Sequence, residues 1–195
     1  MTRMLLIGPP GSGKGTQAER LSDRLGVVAI STGDIFRTNV QEKTPLGLKA
    51  KTYMDVGDFV PDEVTNEMVR GRLSSEDVKD GFLLDGYPRT VQQITELDDI
   101  LGRNGQQLAL AVLLTAADEE LVERLLGRAL ITGRTDDNET VVRHRLDLYH
   151  RQTETVVANY AQRGILTSVN GSGPVEEVTD RVMAAIEKMA PKGVH

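Results

Sequence analysis

Nine residues near the start of the chain, Gly8-Pro9-Pro10-Gly11-Ser12-Gly13-Lys14-Gly15-Thr16, set glycines, a lysine and hydroxyls directly after the apolar run Met4-Leu5-Leu6-Ile7. A buried strand ending in such a turn points backbone N–H groups inward, and a helix starting near Gly13 adds its positive end. Polyphosphate is the ligand that suits this arrangement. Lys14 reaches the outer phosphates as a mobile cation, and the Thr16 hydroxyl is placed for a magnesium ligand position. The common form of the loop has Ser or Thr directly after the lysine; here Gly15 intervenes, so the match is to a variant.

Two further strings could hold a smaller anion. Ser31-Thr32-Gly33-Asp34-Ile35-Phe36-Arg37 and Asp85-Gly86-Tyr87-Pro88-Arg89-Thr90 each follow an apolar run, and each supplies an arginine. The arginine fork matches phosphate oxygens in pairs, which suits a monophosphate. Asp85, at the end of its run, is placed to orient water on magnesium. A third group, Arg124, Arg128, Arg134 and Arg145, surrounds a short interruption in a helical region; Arg124 and Arg128 are four residues apart and share a helical face. Asp136-Asp137-Asn138-Glu139 reads as a cap for the next helix and as partner to nearby arginines rather than as a metal site. His144 and His150 have no ligand spacing and read as structural or exposed.

These groups need a frame. Short, nearly continuous apolar runs recur at Met4–Ile7, Val27–Ile30, Phe82–Leu84, Leu108–Leu114 and Ile165–Val169, as in strands buried on both faces. Helical stretches at Thr16–Leu25, Val91–Leu101, Asp118–Arg128, Glu139–Arg163 and Val175–Met189 alternate with them, which predicts a parallel sheet with helices on both faces. Ligands of such sheets sit beyond the carboxyl ends of the strands, where Gly8, Ser31, Asp85 and Thr115 fall. Thr32–Val78 supplies helices alone, with starts at Thr44-Pro45 and Val60-Pro61-Asp62-Glu63, and reads as an inserted helical subdomain; Ala129–Asn138 reads as a second, shorter flap. The tail Pro191–His195 reads as frayed.

Composition sets the outer bounds. At 195 residues, 39% apolar and 27% charged, the chain is one globular domain with a full core rather than a disordered segment. A net charge of −6 argues against nucleic-acid or anionic-membrane partners, so anions must be held by local cations. Without cysteine there are no disulfides or thiolate metal sites. The first apolar run is too short for a signal peptide, no later one approaches membrane-spanning length, and cytoplasm is the expected compartment.

Taken in order, Gly8–Thr16, Ser31–Arg37, Asp85–Arg89, Gln93 and the arginine series resemble the adenylate kinase family in its short-lid form, over essentially the whole chain. That resemblance implies an α/β, three-layer P-loop nucleoside triphosphate hydrolase-like fold, its parallel sheet flanked by helices. Residues 1–31, 79–128 and 139–195 would form the core, 32–78 an AMP-binding helical insertion, and 129–138 a short lid. ATP would be bound by Gly11, Ser12, Gly13, Lys14, Gly15, Thr16, Arg124 and the adenine loop Gly173-Pro174-Val175. AMP would be bound by Thr32, Arg37, Phe59, Val60, Gly86, Arg89, Gln93, Arg134 and Arg145. Lys14, Arg89, Arg124, Arg128, Arg134 and Arg145 would act in catalysis. Magnesium would be held by nucleotide phosphates and water with Thr16 and Asp85 nearby, and with the long lid of other members replaced, no zinc is expected. The partners implied are ATP, AMP and ADP, and a monomer suffices because every proposed group lies on one chain.

The implied activity is reversible, magnesium-dependent phosphoryl transfer from ATP to AMP, giving two ADP. A pyrimidine nucleoside monophosphate kinase is the near alternative; in that relative the position of Thr32 is typically Ala, so Thr32 with Gln93 favours AMP by resemblance. A nucleotide switch is disfavoured, since the chain has no Asn-Lys-x-Asp string and a switch needs no second arginine set. A non-catalytic scaffold would not need Lys14 and Arg89.

Overall fold

The computed structural model describes residues 2–189, so the expectation for Pro191–His195 lies outside the described residues. Strands β1 (Thr2–Ile7), β2 (Val28–Ser31), β3 (Gly81–Asp85), β4 (Leu110–Thr115) and β5 (Leu166–Asn170) form one sheet in the order β2-β3-β1-β4-β5. Every pairing is parallel, with Leu5 opposite Leu84 and Ala111 in register across the centre. Helices α1 (Lys14–Leu25), α5 (Val91–Gly102), α6 (Asp118–Thr132), α7 (Glu139–Leu148), α8 (Glu154–Gln162) and α9 (Val175–Met189) connect or flank the strands. Helices α2 (Thr32–Gln41), α3 (Pro45–Met54) and α4 (Asp62–Leu73) fill the insertion between β2 and β3.

Alternation along the strands builds the layers. Leu5 and Ile7 of β1 point to a core shared with Ile94 and Leu97 of α5 and Val156 and Tyr160 of α8. Met4 and Leu6 point the other way, to Ala18 and Leu21 of α1 and Val178 and Val182 of α9. Full burial of each such leucine contributes about 1.5–3 kcal/mol, which makes β1, covered on both faces, the axis of the fold. The insertion has its own small core of Phe36, Ala50 and Val60. Here Gly47 is required: a Cβ on it would fall 2.0 Å from Asn39 O, so α3 meets α2 only without a side chain at that point. Thr44 caps α3, its hydroxyl accepting from Gly47 N at 3.0 Å.

Three departures from the sequence reading are physical. β2 and β5 are the sheet's edges, so apart from Ile30 and Val169 their residues are partly buried or exposed, whereas β1, β3 and β4 are mostly buried. Helix α6 runs on to Thr132, past the expected end at Arg128, and stops at Gly133 in the left-handed region (φ 66°). The single long helix expected over Glu139–Arg163 is broken by a π-helical turn at Tyr149–Thr153. Among the described residues no helix is long and apolar enough to cross a membrane.

Candidate active site

The strand ends deliver the chemistry. After β1 the loop turns with Gly8 at φ 154°, where a Cβ would lie 2.5 Å from Leu114 O, and Gly13 at φ 92° caps α1. Lys14 opens that helix, and its Nζ donates to Gly8 O at 2.7 Å and Pro9 O at 2.9 Å. Burial pulls the Lys14 ammonium down to about 8, against the pull of Asp85 in the other direction; Arg89, Arg145 and Arg128 add to the lowering. Asp85, at the end of β3, is only 8% exposed, and burial raises its carboxyl above the usual range despite Lys14 and Arg89. Asp85 Oδ1 and Ser12 Oγ are buried polar atoms with no hydrogen-bond partner among the described residues.

Two cavities open here. The first is lined by the loop from Gly11 to Thr16, by Asp85, Arg124, Arg128 and Arg134, and by Gly173 and Val175; Pro174 is not in its wall. The second is lined by Thr32, Phe59, Val60, Gly86 and Gln93, with Tyr149 and Thr153 brought in by the π turn. Lys14, Arg37, Arg89 and Arg145 belong to both walls. Arg134, expected on the monophosphate side, lines only the cavity of the glycine loop.

Each cation is held by its own device. Arg89 Nε donates to Gly86 O at 2.8 Å, its guanidinium lies 5.1 Å from the centre of the Phe59 ring, and burial pulls it down to about 10. Arg37 is paired with Asp34 one turn earlier. Arg128 places both fork nitrogens on Asp137 at 2.7 Å, and Arg145 reaches Asp136 and Asp137 at 3.1 Å. Arg124 Nη2 bonds Glu120 and also Gly171 O at 3.1 Å, while Gln17 Nε2 donates to Val175 O at 3.1 Å, so the adenine loop Gly173–Val175 expected from sequence is tied to α1, and the chain just before it to α6. Gln93 is buried, with both ends of its amide engaged: Arg89 N donates to its Oε1 at 2.7 Å, and its Nε2 donates to Asp62 Oδ1 at 2.6 Å.

Sequence reasoning missed Asp62 as an anchor. Its carboxylate also accepts from Thr90 Oγ1 at 2.7 Å, and its position in a helix first turn had a sufficient explanation already. Asp137 was legible only as a generic partner, yet it is fully buried and joins two arginines.

For magnesium, the donor set fits a metal carried by phosphate. Among the described residues no group of three or more His, Asp or Glu could hold a metal by itself. The partnerless oxygen of Asp85 and the exposed Thr16 are hard oxygen donors in the glycine-loop cavity, and magnesium keeps waters and takes few protein ligands beside phosphates.

A parallel sheet with a phosphate loop after its central strand and a second cationic cavity sharing that loop's lysine defines a P-loop nucleotide-binding phosphotransferase. The sequence matches the family model for adenylate kinase over residues 6–165. It is 72% identical to the adenylate kinase of Pseudarthrobacter chlorophenolicus over 96% of this chain and 97% of that one. It is 67% identical to that of Renibacterium salmoninarum over the same shares, and 50% identical to that of Thermobifida fusca over 96% of this chain and all of the other. The chain belongs to the adenylate kinase family.

Proposed function

We propose that the glycine-loop cavity takes ATP and the Thr32 cavity takes AMP, so that the chain performs its family's reaction, reversible phosphoryl transfer from ATP to AMP giving two ADP. The carrying observation is the wall of Lys14, Arg37, Arg89 and Arg145 common to both cavities, because two phosphate chains can meet only there. The bond from the γ-phosphorus to its bridging oxygen breaks, one to an AMP phosphate oxygen forms, and ADP leaves from each side. No protein base is needed, since a monophosphate's second pKa is about 6 and its oxygen is already anionic near neutrality. Among the described residues no histidine lines either cavity, and catalysis reduces to alignment and charge stabilisation.

The roles then divide by place. Gly11–Thr16 holds the triphosphate, with Lys14 on its outer phosphates, and Arg124 with Gly173, Pro174 and Val175 holds the donor base. Thr32, Phe59, Val60 and Gln93 face the acceptor base; Arg37, Gly86 and Arg89 face its phosphate. Arg128, Arg134 and Arg145 gather on the transferring group. Magnesium would be held by the nucleotide phosphates and water, with Thr16 and Asp85 nearby, and when bound would neutralise charge on the phosphate oxygens. Residues 32–78 act as the AMP-binding unit, 129–138 as the lid and the remainder as the core of a cytoplasmic monomer.

A coupled assay tests this with ATP and each of AMP, CMP, UMP and GMP, beside phosphate release without acceptor. AMP should be the preferred acceptor and hydrolysis slow. Preference for CMP or UMP would move the chain to the pyrimidine kinases, and phosphate release indifferent to AMP would make it a hydrolase.

A further inference from the structure

The loop from α3 to α4 makes a contact with α7 that the reaction as described does not use. Gly57 lies against that helix: its φ is +84°, and a Cβ on it would come within 2.9 Å of both Arg145 Cγ and Val141 Cγ1. Asp58 follows, and its Oδ1 accepts from His144 Nε2 at 2.7 Å. Phe59 and Val60 come next, and all four residues from Gly57 to Val60 belong to the wall of the Thr32 cavity, with Phe59 against Arg89. The loop is therefore pinned to α7 immediately before the two residues that face the acceptor base.

The charges around this contact are otherwise matched. On α7, Arg143 pairs with Glu139, Arg145 with Asp136 and Asp137, and Asp147 with Arg151. On the loop side Asp55 pairs with Lys51. His144 and Asp58 are left to each other. Arg145, the residue after His144, stands in the wall common to both cavities. One helix thus touches the acceptor-base loop with one side chain and the phosphate meeting point with the next.

We propose that His144 is a positioning residue for the acceptor nucleotide: through Asp58 it holds the Gly57–Val60 loop on α7 and fixes the base wall relative to Arg145. This rests on the assignment of the Thr32 cavity to AMP. The two side chains are 39% and 49% exposed, so the contact has the strength of a surface pair and acts on acceptor affinity rather than on folding.

The test is the KM for AMP and for ATP, with the melting temperature, in His144→Ala, Asp58→Ala, the double variant and His144→Lys. Each single alanine should raise the AMP KM about two- to fivefold, the range of an exposed polar pair, and leave the ATP KM unchanged. The double variant should add nothing further, because both changes remove one contact, and His144→Lys should restore the AMP KM by supplying another hydrogen-bond donor to Asp58. Unchanged AMP KM, equal rises for both nucleotides, or additive effects would overturn the proposal. Thr32→Ala, measured alongside, separates the two readings, because Thr32 lines the proposed acceptor cavity and not the glycine-loop cavity. If it raises the AMP KM selectively while the His144 and Asp58 variants do not, the positioning role alone fails; if it moves both KM values together, the cavity assignment fails.

Discussion

Lys14 is where the cost of this site is concentrated. Burial among Arg89, Arg145 and Arg128 holds it at about 8, with Asp85 as its nearest compensation. Phosphate favours the charged form, so ATP binding above that pH must take up a proton. By linkage, ATP affinity should fall about tenfold between pH 7 and 9 if binding restores an ordinary lysine pKa. Titration calorimetry in two buffers of different ionisation enthalpy would show the proton uptake; the same slope in Lys14→Met would remove Lys14 as its source. The sign for folding is opposite. Because the folded value lies below the unfolded 10.5, the unfolded chain holds more protons between about pH 8 and 10.5, and the nucleotide-free protein gains stability as pH rises through that window. The arginines were legible beside Lys14 through the family resemblance, but this balance was not, because the burial that lowers the lysine arises only when the fold closes around it.

Helices α6 and α7 show the same division at the scale of elements. Their connection is set by Asp137, fully buried, which fixes Arg128 with two bonds and Arg145 with a third. Asp137→Asn keeps the shape but offers one acceptor oxygen in place of two, so the Arg128 fork loses its paired seat. Chemical denaturation should register a loss of about 1–3 kcal/mol, the cost of a broken buried hydrogen bond. Turnover should fall as well. Asn138→Ala is the control: it removes the α7 cap, whose side chain accepts from Val141 N at 3.1 Å, at a comparable stability cost of about 1 kcal/mol without touching either arginine. Equal turnover in the two variants would reduce Asp137 to a structural anchor. The strands and the caps at Thr44 and Asn138 could be read from sequence because continuous apolar runs and capping side chains are local signals. The π turn at Tyr149–Thr153 could not, since a single wide turn inside a helical stretch carries no residue-type signal of its own. Nor could the extension of α6 through Leu130 and Ile131, two apolar residues about nine-tenths exposed (90% and 87%) that periodicity would place against a core. The π turn lines the Thr32 cavity through Tyr149 and Thr153, and the extension lies in the chain between Arg128 and Arg134 of the other cavity.

For the molecule as a whole, the decisive quantity is the contrast between a net charge of −6 and a cleft lined by Lys14, Arg37, Arg89, Arg124, Arg128, Arg134 and Arg145. Such focusing favours polyphosphate ligands, and on the proposed assignment the cations that align the substrates also hold the products, two ADP. Water must be kept from the transferring phosphoryl group, and on the proposed division of the chain residues 32–78 and 129–138, which contribute Arg37 and Arg134 to the cleft, are the segments that would do so. Opening after chemistry should therefore limit turnover, a form of gating for which this family is itself a familiar example. The measurement is kcat against relative viscosity in sucrose and glycerol. Limiting release or opening gives a normalised slope approaching one, whereas limiting chemistry gives a slope near zero. Arg128→Ala supplies the internal standard: loss of one oriented charge stabiliser should slow chemistry by about two to three orders of magnitude and make it rate-limiting, so its slope should collapse. A flat wild-type profile would place the limit in phosphoryl transfer itself, and a viscosity dependence that survives in Arg128→Ala would show that this arginine governs closure rather than charge.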